Sequence, residues 1–228
     1  MKVKAIVVDM DGTITKFNLN FMEARKHALG ILEEMNLRTP DMTEQVSLYL
    51  ILASLKEKLN SETYATVRSR FYKLLEEMEL KSAKKVALYP GARETLLSIR
   101  RRPVKIGIVT NNGHAGTDLT FKRLKLQGIF DAIVTRDDCE DMKPSPNPVR
   151  KIMADLDVKP EEGILVGDGV MDIMAAKAAG LSSVAVTTGP FNSARLIEAE
   201  PDYLLGSIND LPALLDLLES KGTKEVPG

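Results

Sequence analysis

Short apolar runs alternate with helical patterns through most of this chain. Ala5-Ile6-Val7-Val8, Val104 to Val109, Ala132 to Val134, Gly163 to Val166 and Ser183 to Val186 read as strands, with Tyr203-Leu204-Leu205 a short sixth. Ala92 to Arg101, Asp118 to Leu126, Pro146 to Leu156 and Met171 to Ala179 read as the helices between them. Ser145 is the expected N-cap of the third of these, and Asn209 to Glu219 closes the chain as a helix with Pro212 in its first turn. The tail from Lys221 is expected to fray. Strands that are apolar throughout, rather than at every second residue, are covered on both faces. Strands separated by helices pair in parallel. The expectation is an α/β fold: a parallel sheet with helices on both sides.

One stretch breaks the alternation. From about residue 17 to residue 86 the pattern is helical only. Phe21, Ala24, Ala28, Ile31, Leu32 and Met35 recur at helical spacing, as do Tyr64, Val67, Phe71, Leu74, Leu75 and Met78 in a helix starting near Ser61. Between them, Asp41 and Glu44 look like a capping box opening a helix that carries Val46 to Leu55 and is apolar on most sides. Three such helices can bury a shared core, so residues 17–86 are expected to form a helical domain inserted into an α/β domain of residues 1–16 and 87–228.

With 228 residues the chain is long enough for one large domain with an insertion, and its net charge of −1 gives no general pull toward nucleic acid or a membrane surface. The single Cys139 excludes an internal disulfide framework and fits a reducing compartment. No run reaches membrane-spanning length and no secretory leader is evident, so a cytoplasmic location is expected.

The first strand runs into Asp9-Met10-Asp11-Gly12-Thr13. Two carboxylates one residue apart raise each other's pKa unless a cation relieves them, and Mg²⁺ with its oxygen ligands would do so. Strand alternation puts Asp9 and Asp11 on one side if the strand lasts that far. Gly12 permits a sharp turn and a close approach to a ligand. Ligands of parallel sheets bind beyond the carboxyl ends of the strands, so other strand ends should be polar too. They are: the second strand ends in Thr110-Asn111-Asn112-Gly113-His114, the fourth in Gly167-Asp168-Gly169 followed by Asp172, and Lys143-Pro144 lies just after the loop that leaves the third strand. Several carboxylates, a hydroxyl and a lysine suit phosphoryl transfer, in which positioning and charge neutralisation do most of the work.

These four motifs, in this order, resemble the haloacid dehalogenase-like superfamily, in its phosphoglycolate phosphatase-like branch, over nearly the whole chain. The resemblance implies a Rossmann-like core and a helical cap that closes over the site, with hinges near Thr15–Asn18 and Val86–Pro90. It implies that Asp9 is a nucleophile forming an aspartyl-phosphate, that Asp11 is the general acid and base, that Thr110 holds a phosphoryl oxygen, and that Lys143 offsets charge. It places Mg²⁺ on Asp9, Asp168 and the Asp11 backbone carbonyl, with Asp172 acting through water or by holding Lys143. The implied reaction is hydrolysis of a small phosphorylated metabolite, phosphoglycolate first among candidates. A β-phosphoglucomutase-like sugar phosphomutase is the alternative enzyme, although Thr15-Lys16-Phe17-Asn18 departs from the mutase pattern; a non-catalytic phosphometabolite-binding module is a third reading. A dehalogenase is disfavoured because Asp11 is present.

Other candidates have plainer readings. His114 reads as an exposed loop histidine, Arg25, Lys26 and His27 as a solvated helix face, Cys139 as incidental, and Met171 and Met174 as core packing. Cap helices could also pair between subunits, so a homodimer stays open.

Overall fold

The computed structural model describes residues 2–16, 19–190 and 192–222. Phe17 and Asn18, expected in a hinge, and residues 223–228 of the tail lie outside the described residues. Six strands form one sheet: β1 (Ala5–Val8), β2 (Lys105–Val109), β3 (Ala132–Val134), β4 (Gly163–Gly167), β5 (Ser182–Val186) and β6 (Tyr203–Leu205). Their order is β3-β2-β1-β4-β5-β6, and every pairing is parallel. The chain builds outward from β1 to β3 on one side, then crosses back to lay β4 on the other flank. The order thus reverses at β1, where such sheets open a crevice for ligand. Val8 pairs with Ile108 and with Val166, so Asp9, Val109 and Gly167 follow at one rim.

Both faces are covered, as the apolar strands require. Ile6 and Val8 pack with α4 (Ala92–Ile99), α5 (His114–Leu124) and α9 (Leu211–Gly222). Ala5 and Val7 face the other way, into a core shared with α6 (Asn147–Asp155) and α7 (Val170–Ala179). A short helix, α8 (Ser193–Glu198), capped by the Asn192 side chain, is not evident in the sequence pattern because only Leu196 of its six residues is buried.

The inserted stretch forms α1 (Phe21–Glu34), α2 (Leu48–Lys58) and α3 (Ser61–Ala83). Their inward side chains make an apolar cluster of their own, with Ala28, Leu32, Leu52, Val67 and Phe71 at its centre. Asn20 and Asn60 cap α1 and α3 through their side chains, at 3.2 and 2.9 Å. The expected capping box at Asp41 does not form. Residues 39–46 make successive turns, with Met42 N bonded to Thr39 O and Val46 N to Thr43 O, and α2 begins only after Ser47. That helix is amphipathic rather than central, since Leu50 is exposed.

Other boundaries move by a residue or a few. Helix α5 starts at His114, four residues before the expected Asp118, because Gly113 in extended conformation opens it. Pro146, not Ser145, occupies the N-cap of α6. Helix α9 runs through Gly222, so Lys221 and Gly222, the first residues of the tail expected to fray, are helical, and the rest of that tail lies outside the described residues. No helix among the described residues is long and apolar enough to cross a membrane.

Candidate active site

Strand β1 ends at Val8, so pleat alternation does not extend to Asp11. A tight turn places it instead: Ile14 N and Thr15 N both bond Met10 O, and Gly12 N bonds Thr15 O. Gly12 sits at φ +90°, where a side chain is strained. A Cβ there, or at Gly189 on the facing loop, would overlap the Asp168 carboxylate. The two glycines therefore leave a cradle around Asp168, and the Thr188 hydroxyl donating to Gly12 O at 2.6 Å holds its sides together.

Lys143 is the hub. Its buried ammonium donates to Asp9 Oδ1 and Asp172 Oδ1, each at 2.5 Å, and to Val109 O at 3.0 Å. All three of its donors are satisfied. Burial pulls the Lys143 pKa down, but Asp172 and Asp9 raise it further, so the lysine is charged. The second oxygen of Asp172 accepts from Gly169 N at 3.0 Å. Each oxygen of Asp172 thus accepts one hydrogen bond, and Oδ1 holds Lys143.

Asp9, Asp168 and Asp172 offer carboxylate oxygens within 4.8 Å of one another, all buried. Burial pushes Asp9 up to about 7, against the pull of Lys143 and with the push of Asp172. Asp168 is raised well above its ordinary value by burial and by Asp9 and Asp172; Lys143, and then a bond from Thr13 Oγ1 at 3.2 Å, offset part of the rise. Oxygen-only donors whose negative charge is under-compensated, beside a cradle kept open by two glycines, fit a hard divalent cation such as Mg²⁺.

Asp11 stands beside this group, and its carboxylate is not part of it. It was expected as a ligand only through its backbone carbonyl. Its side chain accepts from Thr15 Oγ1 at 2.7 Å and from Asn112 Nδ2 at 2.6 Å, and burial raises its pKa against those bonds. Thr110 is buried at the end of β2, and its hydroxyl oxygen accepts from Asn112 N at 3.2 Å. The six expected residues thus surround one cavity of about 400 Å³, whose facing wall comes from Leu19, just before α1, and from the first turns of α1 and α2, and is mainly apolar, with Met22, Leu48 and Tyr49 prominent.

The plainer readings fare unevenly. His114 is exposed and sits 3.3 Å from Asp138, away from the cavity. Lys26 and His27 are solvated as expected, but Arg25 is half-buried and lines the cavity. Met171 and Met174 are not core: the first lines the cavity and the second is 49% exposed. Sequence reasoning overlooked Asn112, whose role depends on its loop returning to Asp11, and the buried pair Glu79 and Arg136.

A parallel sheet whose order reverses at β1, with carboxylates and a lysine gathered at that reversal, defines an α/β enzyme of the hydrolase class. The chain belongs to the haloacid dehalogenase-like hydrolase family, whose model matches residues 6–186. It is 30% identical over 223 residues to pyrophosphatase PpaX of Bacillus cereus, covering 96% of this chain and 100% of the relative. Among solved structures, a hydrolase from Pseudomonas syringae superposes with a TM-score of 0.70 at 24% identity, over 93% of this chain and 98% of that one. A protein described as a predicted phosphoglycolate phosphatase, from Haemophilus somnus, superposes at 0.63 and 20% identity, over 94% and 98%.

Proposed function

We propose that this hydrolase cleaves a small phosphomonoester, phosphoglycolate-like in size, through an aspartyl-phosphate on Asp9, with Mg²⁺ as cofactor. The observation that carries the reading is the gathering of Asp9, Asp168 and Asp172 around Lys143, with Asp11 alongside. Asp9 Oδ1 is held by Lys143, which leaves Oδ2 to attack phosphorus. As the new bond forms, the bond from phosphorus to the leaving oxygen breaks, and the Asp11 carboxyl gives that oxygen its proton. Water then attacks the phosphorus, Asp11 takes its proton, and the Asp9 carboxylate departs. Thr110 would donate to a phosphoryl oxygen. Asp9, Asp168 and the Asp11 carbonyl would hold the cation, which would supply charge neutralisation and orientation of the phosphoryl group.

Residues 17–86 are proposed to act as the cap. Helices α1 and α2 wall the cavity opposite the carboxylates, and closing it off from water would strengthen every charge interaction inside. Arg25 is the cation on that wall among the described residues, placed to meet an anionic group on the leaving side such as the carboxylate of phosphoglycolate. Its pKa is lowered, first by burial and then by Arg195, so an anion there would be welcome. The likeness to a pyrophosphatase favours pyrophosphate as a second reading. Initial rates on phosphoglycolate, pyrophosphate and p-nitrophenyl phosphate, with Mg²⁺ and with chelator, test both. Turnover that needs no divalent ion, or none on any of the three, would refute the proposal.

A further inference from the structure

Outside the group of Asp9, Lys143, Asp168 and Asp172, the buried charges among the described residues are Glu79, near the end of α3, and Arg136, just after β3; their side chains are 2% and 1% exposed. They meet through a two-pronged contact: Arg136 Nη1 to Glu79 Oε1, and Nη2 to Glu79 Oε2 at 3.1 Å. Such a pair is a weak source of stability, because both ions lose their water. Its surroundings show what it holds. Glu79 Oε2 also accepts from Gly113 N at 3.0 Å, Arg136 Nη1 donates to Asn111 O at 3.1 Å, and the Arg136 backbone N donates to Asn112 O at 2.9 Å. Tyr49 of α2 adds a hydroxyl bond to Asn111 O at 2.9 Å, and the Tyr72 ring of α3 lies 4.8 Å from the Arg136 guanidinium. Space is reserved for the pair: a Cβ on Gly113 would come within 2.7 Å of Arg136, and one on Gly116 within 3.0 Å of Glu79.

Among the described residues, the bonds that the two side chains make to backbone fall on Asn111 and Gly113, and the Arg136 amide adds one to Asn112. The middle residue of that loop, Asn112, grips Asp11 Oδ2 through its amide at 2.6 Å. We infer that Glu79 and Arg136 are positioning residues: they fix the loop so that Asn112 aims the Asp11 carboxyl at the leaving oxygen. Because Glu79, Tyr49 and Tyr72 belong to the inserted helices, the seating of those helices on the sheet domain sets the aim of the acid. The inference rests on the phosphomonoesterase reading, in which Asp11 protonates the leaving group.

That role has a signature which general loosening of the fold lacks. An alkoxide leaving group needs the proton; p-nitrophenolate leaves readily without it. Steady-state rates are measured in Mg²⁺ on a simple alkyl phosphate and on p-nitrophenyl phosphate, for the wild type, Glu79→Gln, Asn112→Ala and the double variant. Glu79→Gln is expected to lower kcat/KM on the alkyl phosphate by about tenfold or more relative to kcat/KM on p-nitrophenyl phosphate, because kcat/KM reports leaving-group departure and not the later water step that Asp11 also serves. Asn112→Ala should show the same selectivity, and the double variant should lose no more than the worse single one, since both act on one path. If Glu79→Gln does not fold, Arg136→Lys, which keeps the charge and loses the fork, takes its place. Equal losses on the two substrates, or losses that multiply in the double variant, overturn the positioning role. A wild type inactive on both substrates overturns the phosphomonoesterase reading, and the positioning role with it.

Discussion

Replacing Lys143 with Met removes the only positive charge that touches the Asp9 and Asp172 carboxylates among the described residues, while keeping most of the side-chain volume. The wild-type ammonium is 3% exposed and bonded to three oxygens. Breaking a buried charge pair on one side costs about 3–5 kcal/mol, because the partner is left uncompensated. In a domain of this size 1 kcal/mol moves the melting temperature by roughly 2–4 °C, so Lys143→Met should melt roughly 6–20 °C lower in chelator at pH 8. The loss should be smaller at pH 6. Asp9 titrates near 7 even beside Lys143, and without it protonates more readily, which relieves the repulsion. Mg²⁺ should raise the melting temperature of the variant by more than that of the wild type, since a bound cation then replaces the missing charge. Scanning calorimetry at both pH values, with chelator and with Mg²⁺, reads all three effects. A variant within about 2 °C of wild type at pH 8 in chelator would show that the carboxylates do not depend on Lys143, and the electrostatic account of the site would fail.

Asp9→Asn should abolish turnover, to below about a thousandth of wild type, while leaving the melting temperature in chelator unchanged or higher, because a buried like charge is lost; near-normal turnover would remove Asp9 as nucleophile. The wild type in chelator should lose stability as pH rises from about 4 to about 7. Asp9 and Asp168 have folded pKa values above their unfolded ones, so the folded state holds more protons across that window and is penalised as they leave. Asp131 and Asp138 work the other way below about pH 4. Both are raised somewhat by burial but lowered more, Asp131 by Arg100 and the Ile106 amide, Asp138 by the Thr135 backbone and hydroxyl. Melting temperatures in chelator that climb between pH 5 and pH 8 would contradict this. Gly189→Ala should cut activity by about a hundredfold, since the new methyl must push Asp168 aside by on the order of 1 Å; unchanged kcat would mean that Asp168 tolerates displacement. His114→Ala should leave kcat and KM within about twofold, because the side chain is 56% exposed and faces Asp138.

Local pattern decided a good deal here. Strand β1 is legible because four consecutive buried residues have no amphipathic alternative, and α1 and α3 because their apolar stripes hold their period over about four and about six turns. The convergence of Asp9, Thr110 and Asp168 was legible because a parallel sheet sends the residue after each strand to one rim, wherever it falls in the chain; Lys143, well beyond the end of β3, reaches that rim through a loop. The start of α2 was not: a plausible capping box at Asp41 competed with turns that the local pattern does not rank. The placement of Asp11 was beyond strand periodicity, since the strand stops at Val8 and hydrogen bonds from Thr15 and Asn112 take over.

What tertiary structure alone decided is the second ring of residues. Asn112 is 101 positions from Asp11, and Glu79 is 57 from Arg136. Neither pair carries a spacing that a reader of the chain could notice. The reason is physical: strand ends converge by backbone hydrogen bonding, a rule that local sequence obeys. Side chains such as Glu79 and Arg136 meet only because α3 packs against the sheet side of the molecule, and burial then demands that each charge meet its partner.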